Sequence, residues 1–270
     1  MKNFAIMMAL GAIFISCKDD HEHRTERNET EIAENKQQNN NQETSDLPDI
    51  KISPISHATA VFKWADKVFY TDPVGGAEAF KNAASPDFIL LTDIHGDHLS
   101  AETLKSLKLG DTKIVAPAAV AESLPKEFKK NLIILENGES TDLDDFKITA
   151  IPMYNLPQSK DAMHVKGRGN GYIIQLNEHS LYISGDTEDI PEMRQLKKID
   201  IALLSMNLPY TMPVEHAADA VLEFKPKKVI PYHYRGKNGF SDIKKFRQLV
   251  KEGNSNIEVE LMDWYPNGEE

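Results

Sequence analysis

Phe88-Ile89-Leu90-Leu91-Thr92-Asp93-Ile94-His95-Gly96-Asp97-His98-Leu99-Ser100 passes from an apolar run, through a turn dense in ligands, to a helix start. The apolar run predicts a buried strand over 87–92, and Ser100 predicts the N-cap of a helix over 100–108. Between them stand four potential metal ligands, Asp93, His95, Asp97 and His98, with a glycine inside the turn. Carboxylates and imidazoles crowded at a strand end stay poorly satisfied unless a cation gathers them. Along an extended end, residues i and i+2 point the same way, so Asp93 and His95 can share one ion. Asp97 and His98 then turn toward a neighbouring position.

Three further candidates each follow a predicted strand. His164 lies in the long loop after Ile148–Ile151, Asp186 follows Ser180–Ile183, and His233 follows Lys228–Ile230. Loops at strand carboxyl ends converge on one edge, where a rigid scaffold can hold ligands. Together these positions supply three Asp and four His, enough for two adjacent divalent ions.

The rest of the chain splits into a leader, a tail and a domain. Phe4–Ile15 holds no charge but would rise only roughly 18 Å as a helix, against about 30 Å for a membrane core. It therefore reads as a secretion signal over residues 1–16. Phe14-Ile15-Ser16-Cys17 resembles a bacterial lipobox, which makes Cys17, the sole cysteine of 270 residues, the lipidation site. Residues 17–49 read as a disordered acidic tether. Seven of the eight positions from Asn35 to Gln42 are Asn or Gln, too polar to offset the entropy of ordering. An exported lipoprotein of the cell envelope follows, held at the membrane by its N-terminal lipid alone. With one cysteine, no disulfide framework or multi-thiolate metal site can form. A net charge of -11 excludes a broad electrostatic trap for nucleic acid.

Residues 50–270 read as one domain. Strands are predicted near 50–56, 59–63, 67–72, 87–92, 113–116, 132–135, 145–151, 171–176, 179–184, 199–204, 227–231 and 257–262. Helices are expected at 100–108, 214–224 and 240–250, with shorter ones at 76–83, 117–123 and 190–197. Early hairpins followed by strand–helix alternation predict an α/β (α+β) fold of two packed sheets with helices outside.

Asp93–His98 with His164, Gly185-Asp186-Thr187 and His233 resembles, in order and spacing, the metallo-β-lactamase-fold hydrolase superfamily. The match spans essentially all of 50–270. The stretches Val165–Tyr172 and Ile190–Met193 look like a bacterial branch of metal-dependent hydrolases, similar in layout to ascorbate-6-phosphate lactonases and N-acylphosphatidylethanolamine phospholipases D. The resemblance implies a four-layered αββα sandwich of two mixed β-sheets, with two divalent ions at one edge. It assigns His95 and His164 to the first ion, Asp97, His98 and His233 to the second, and Asp186 to a bridge. It further implies a hydroxide between the ions attacking an ester, lactone, amide or phosphodiester, with Asp97 as the candidate general acid.

One position departs from the pattern. The superfamily usually opens its motif with histidine, whereas this chain has Asp93. A carboxylate still binds a divalent ion, but it lowers the charge of the ligand set and tilts preference from zinc toward manganese or iron. Zinc remains the first expectation. Two functional classes stay open: a hydrolase, or a metal- or ligand-binding lipoprotein whose turnover Asp93 has weakened. Tyr154, Asn155, Tyr210 and His57 are expected to face substrate, with a satisfied core histidine the other reading for His57. Lys166, Arg168, Arg235 and Lys237 would suit a small or lipid-like anionic substrate, or are solvated loop cations.

Overall fold

The computed structural model describes residues 47–265, so the expected signal peptide, Cys17 and nearly all of the tether lie outside the described residues. Half-buried Leu47 packs on the core and Pro48 is buried, so packing begins just before Ile50.

Two mixed sheets carry the domain. The first runs in chain order: β1 (Ile50–Ser56), β2 (Thr59–Trp64), β3 (Lys67–Thr71), β4 (Phe88–Leu90), β5 (Lys113–Ala116) and β6 (Leu132–Ile134). Its first three strands pair antiparallel and the rest parallel. The second contains β7 (Ser140–Leu143), β8 (Phe146–Met153), β9 (Gly169–Leu176), β10 (His179–Ile183), β11 (Ile201–Ser205), β12 (Lys228–Tyr232) and β15 (Glu258–Val259). It shares that layout, antiparallel from β7 to β10 and parallel from β10 to β15. A small hairpin, β13 (Arg235–Gly236) with β14 (Gly239–Phe240), follows β12.

Side-chain alternation explains the layers. Phe62, Phe69, Phe88, Leu90 and Val115 of the first sheet join one core with Phe146, Ile148, Tyr172 and Leu181 of the second. Phe146 meets Trp64 at 5.4 Å and Phe88 at 5.8 Å between ring centres. The intervening residues Val68, Tyr70, Ile89, Leu91 and Ile114 form a separate core with Leu104, Val120 and Phe128 on the outer side. Leu104 belongs to α2 (Ala101–Ser106) and Val120 to α3 (Ala118–Ser123); α1 (Gly76–Ala79) precedes them. Outside the second sheet lie α4 (Pro191–Arg194), α5 (Val214–Phe224) and α6 (Ile243–Gly253), with Phe224 packed edge-on to Tyr182. The order is helix, sheet, sheet, helix.

Ser100 caps α2 as expected, accepting the Thr103 amide at 3.2 Å. Three readings change. Ser140–Leu143 is a strand despite its polar composition, because it pairs along β8 at the sheet edge. The helix expected over 240–250 begins at Ile243, since Gly239–Phe240 is held by the hairpin and Asp242 caps the first turn through the Lys245 amide. The strand expected over 257–262 pairs only at Glu258–Val259. Among the described residues no helix is long and apolar enough to cross a membrane.

Candidate metal centre

All seven predicted ligands come from loops at strand ends along one edge of the sandwich. The loop after β4 carries Asp93, His95, Asp97 and His98, while His164 lies between β8 and β9. Gly185, at φ 62°, turns the chain after β10 to present Asp186, and its carbonyl accepts the Ser184 and Ser205 hydroxyls at 2.8 Å each. His233 follows β12 directly at φ 45°. A left-handed backbone costs a non-glycine residue about 1 kcal/mol or more and persists only where surrounding structure enforces it. His57 (φ 47°) and Asp72 (φ 42°) at the same edge are held likewise.

Asp186 is the hub. Its carboxylate lies 3.5 Å from His98 Nε2, His164 Nε2 and His233 Nε2. On one flank Asp93 Oδ2 is 3.7 Å from His164 Nε2 and 2.6 Å from His95 Nδ1. On the other, Asp97 reaches His233 Nε2 at 3.2 Å and His98 Nε2 at 3.9 Å. Three ligand groups result: Asp93, His95 and His164; His98, Asp186 and His233; and Asp97 and His233 with His57.

The donor set fits divalent cations. His98 donates Nδ1–H to Asp72 at 2.9 Å, and His164 Nδ1 lies 3.2 Å from the Tyr210 carbonyl, so each turns Nε2 into the centre. Both Nε2 atoms, with Asp93 Oδ1 and Asp186 Oδ1, are buried without a hydrogen-bond partner. A buried polar atom left unmatched costs about 1–3 kcal/mol, a penalty that coordination removes.

Burial opposes charge on Asp186, but the His233 and His98 imidazoles outweigh it and hold the carboxyl far below the usual range. Asp97 is likewise kept ionised: the His233 hydrogen bond and the His98 charge overcome its burial. Burial disfavours the His98 imidazolium, yet the Asp186 and Asp72 carboxylates raise its pKa well above 6.5. Burial pushes His164 downward. In the metal-free protein these surroundings favour a proton on His98 and disfavour one on Asp97, Asp186 and His164. Cation binding at His98 must expel that proton, so loading is expected to release about one proton per chain and to weaken as pH falls. Calorimetric titration with zinc in two buffers of different ionisation enthalpy measures it; equal heats in both buffers would contradict this protonation pattern.

The residues expected to face substrate divide. His57 sits edge-on to His233, with 5.1 Å between ring centres, and lines a cleft that includes Asp97. Tyr154 instead is buried in the core and donates to Glu192 at 2.8 Å. Asn155 spends its amide on Tyr210 O at 2.8 Å and Glu188 at 3.1 Å, while its Oδ1 accepts the His164 amide. Its role here is to fasten the His164 loop. Tyr210 contributes through its carbonyl. Lys166 is matched by Glu192 at 2.5 Å, and Arg168 reaches Asp93 at 3.3 Å.

Three contributors were not anticipated. Buried Asp72 accepts the Thr92 amide, the Thr92 hydroxyl and His98 Nδ1–H. Thr92 thus locks the ligand turn to β3. Asn207 donates to Asp186 at 3.1 Å. Asp72 and Asn207 both follow strands, the rule that located Asp186 and His233, and were legible by it.

A backbone contact supports the Tyr210 loop. A Cβ at Gly236 would stand 1.8 Å from Leu208 O, which also accepts the Lys237 amide. Gly236→Ala is therefore expected to lower stability by about 3 kcal/mol, the upper end for overpacking. Thermal melting checks this.

A family model described as the β-lactamase superfamily domain matches residues 60–234. A UPF0173 metal-dependent hydrolase from Pyrococcus horikoshii is 30% identical over 210 residues, covering 74% of this chain and 92% of that protein. One from Nanoarchaeum equitans is 31% identical over 194 residues, or 68% and 84% respectively. Among solved structures, one described as a metal-dependent hydrolase from Parabacteroides distasonis superposes with a TM-score of 0.70 at 35% identity, over 79% of this chain and 93% of that one. A metallo hydrolase from Ignicoccus hospitalis shares the fold, with a TM-score of 0.67 at 24% identity over 79% and 94%.

Proposed function

The chain belongs to the β-lactamase superfamily domain family and is a metal-dependent hydrolase, and we propose that it hydrolyses an ester, lactone, amide or phosphodiester at this seven-residue centre. The observation that carries the reading is the unbroken run of contacts through Asp186, with four buried ligand atoms left unmatched. Asp93, His95 and His164 would hold one divalent cation and Asp97, His98 and His233 a second, with Asp186 between. Bound cations supply an activated water near neutral pH and Lewis acidity toward the substrate's carbonyl or phosphoryl oxygen.

The protein's own groups do the rest. Asp97 lies at the mouth with its carboxylate about two-fifths exposed, next to His57. The general-acid role expected for it starts from a carboxylate kept ionised by the His233 hydrogen bond and the His98 charge. It acts first as a base toward water, and only then can it return the proton to a leaving group. His98 stays oriented by Asp72, and His164 by the Tyr210 carbonyl and Asn155. The cleft beside Asp97, of about 890 Å³, is lined by apolar Pro54, Ile55, Val74 and Ala79 and by polar Ser56, His57, Thr59, Glu78, Lys81 and Asn82. Such a volume suits a small molecule. This mixed lining suits a substrate with both apolar and polar parts, its scissile group at Asp97.

The lipid anchor on Cys17 and an envelope location belong to the same proposal and rest on the sequence. Cys17→Ser is expected to shift the protein from the membrane pellet to the soluble fraction. For activity, purified protein loaded separately with zinc, manganese and iron is tested on chromogenic esters, lactones, amides and phosphodiesters. Turnover of at least one class that chelation abolishes is the expected result. Retained metal with no turnover on any class would favour the binding-lipoprotein reading, for which the Asp93–Arg168 pair is the specific motive.

A further inference from the structure

Arg168 stands inside the corner formed by Asp93, His95 and His164. Its Nη2 is 3.3 Å from Asp93 Oδ2 and 3.4 Å from His95 Nε2, and it donates to the Met163 carbonyl at 2.6 Å. A guanidinium remains charged throughout the pH range of a folded protein. It therefore meets the same carboxylate oxygen that His95 Nδ1 and His164 Nε2 approach. The aspartate that replaces the histidine expected at position 93 thus comes with its own positive partner.

The two halves of the centre are unequal in charge. In the first, the single carboxylate of Asp93 is already matched by Arg168. In the second, Asp97 and Asp186 are faced by the His98 and His233 imidazoles, and a third carboxylate, Asp72, lies directly behind His98. A cation approaching Asp93 meets the guanidinium at contact range, where like charges repel and compete for one oxygen. A cation approaching Asp186 meets the Asp97 and Asp186 carboxylates and displaces only the His98 proton, with no guanidinium in its way.

We infer that Arg168 is the resident cation of the Asp93 corner, so that the protein takes one divalent ion tightly at Asp97, His98, Asp186 and His233 and a second much more weakly. The inference rests on the metal-binding reading of this centre and concerns its occupancy. Arg168 thereby sets the stoichiometry at which the centre works, as a positioning residue for Asp93.

The test is elemental analysis of metal per chain after loading with excess zinc and desalting, on wild type, Arg168→Met, Arg168→Gln and Arg168→Lys. Wild type and Arg168→Lys are expected to retain about one ion, and the two neutral variants about two. Titration of wild type against a competing chelator should show a second step weaker by at least about tenfold, equivalent to 1.4 kcal/mol. Two equally retained ions in wild type, or one ion in the neutral variants, would overturn the role of Arg168 while leaving the hydrolase reading standing. Absence of metal from every form would overturn both.

Discussion

Asp186→Asn is expected to yield a folded protein that retains almost no cation and has lost turnover. The carboxylate lies 3.5 Å from three imidazole nitrogens, joining His164 on one flank to His98 and His233 on the other. Asparagine keeps the volume but removes the charge, and its amide presents N–H donors to nitrogens that must stay unprotonated to bind metal. Asn207 already donates to Asp186 Oδ2 at 3.1 Å, so a donor at that atom would face a second donor. Replacing an outer partner of a metal ligand commonly costs about 10–100-fold, so loss of this ligand should exceed about 100-fold in both zinc affinity and kcat/KM. Elemental analysis and steady-state rates check it, with circular dichroism confirming the fold. A variant that keeps its metal and more than a tenth of its rate would remove Asp186 from the centre.

How much of this could be read from the chain depends on how local each signal is. The ligand turn was legible because Asp93, His95, Asp97 and His98 crowd one short segment between an apolar run and a capped helix. The two-sheet layering was legible because Phe69, Phe88 and Leu90 alternate with Val68, Tyr70, Ile89 and Leu91, and the two sets fall into separate cores. Ser140–Leu143 was missed because an edge strand needs only one partner and tolerates polar residues on its open side. Arg168 was visible as a cation near His164, but its contact with Asp93 joins residues 75 positions apart and depends on how two loops lie together. Tyr154 was misread for the reverse reason, and the hold of Asn155 on the His164 loop was missed. Polar residues opening a ligand-bearing loop look available for substrate until their hydrogen bonds to Glu192, Glu188 and Tyr210 are seen.

Counting charge over ligands alone also gave an incomplete picture of Asp93. A carboxylate in place of an imidazole suggested a centre with weakened pull on substrate. With the Arg168 guanidinium at 3.3 Å, the negative charge that the substitution adds is offset. The consequence shifts from the strength of the centre to the number of cations it holds.

Asp72→Asn carries the second large effect, although Asp72 has no place in the ligand set. Its carboxylate is buried and receives three donors: the Thr92 amide at 2.7 Å, the Thr92 hydroxyl at 2.5 Å and His98 Nδ1–H at 2.9 Å. Asparagine brings an NH2 group into this ring of donors, so at least one contact must break or reverse. If the His98 contact fails, the ring loses the partner that keeps Nδ1 protonated and Nε2 free for metal. Zinc affinity is therefore expected to fall about 10–100-fold, without loss of any residue that touches the ion. A second readout separates this from mere loosening of the fold. Asp72 is one of two carboxylates that raise the His98 pKa, so its neutralisation should let the metal-free imidazole lose its proton at lower pH. The proton released on zinc loading near pH 7 should then decrease in Asp72→Asn, whereas general destabilisation would leave it unchanged. Chelator competition gives the first quantity and two-buffer calorimetry the second; unaltered values for both would mean that His98 is held by packing alone.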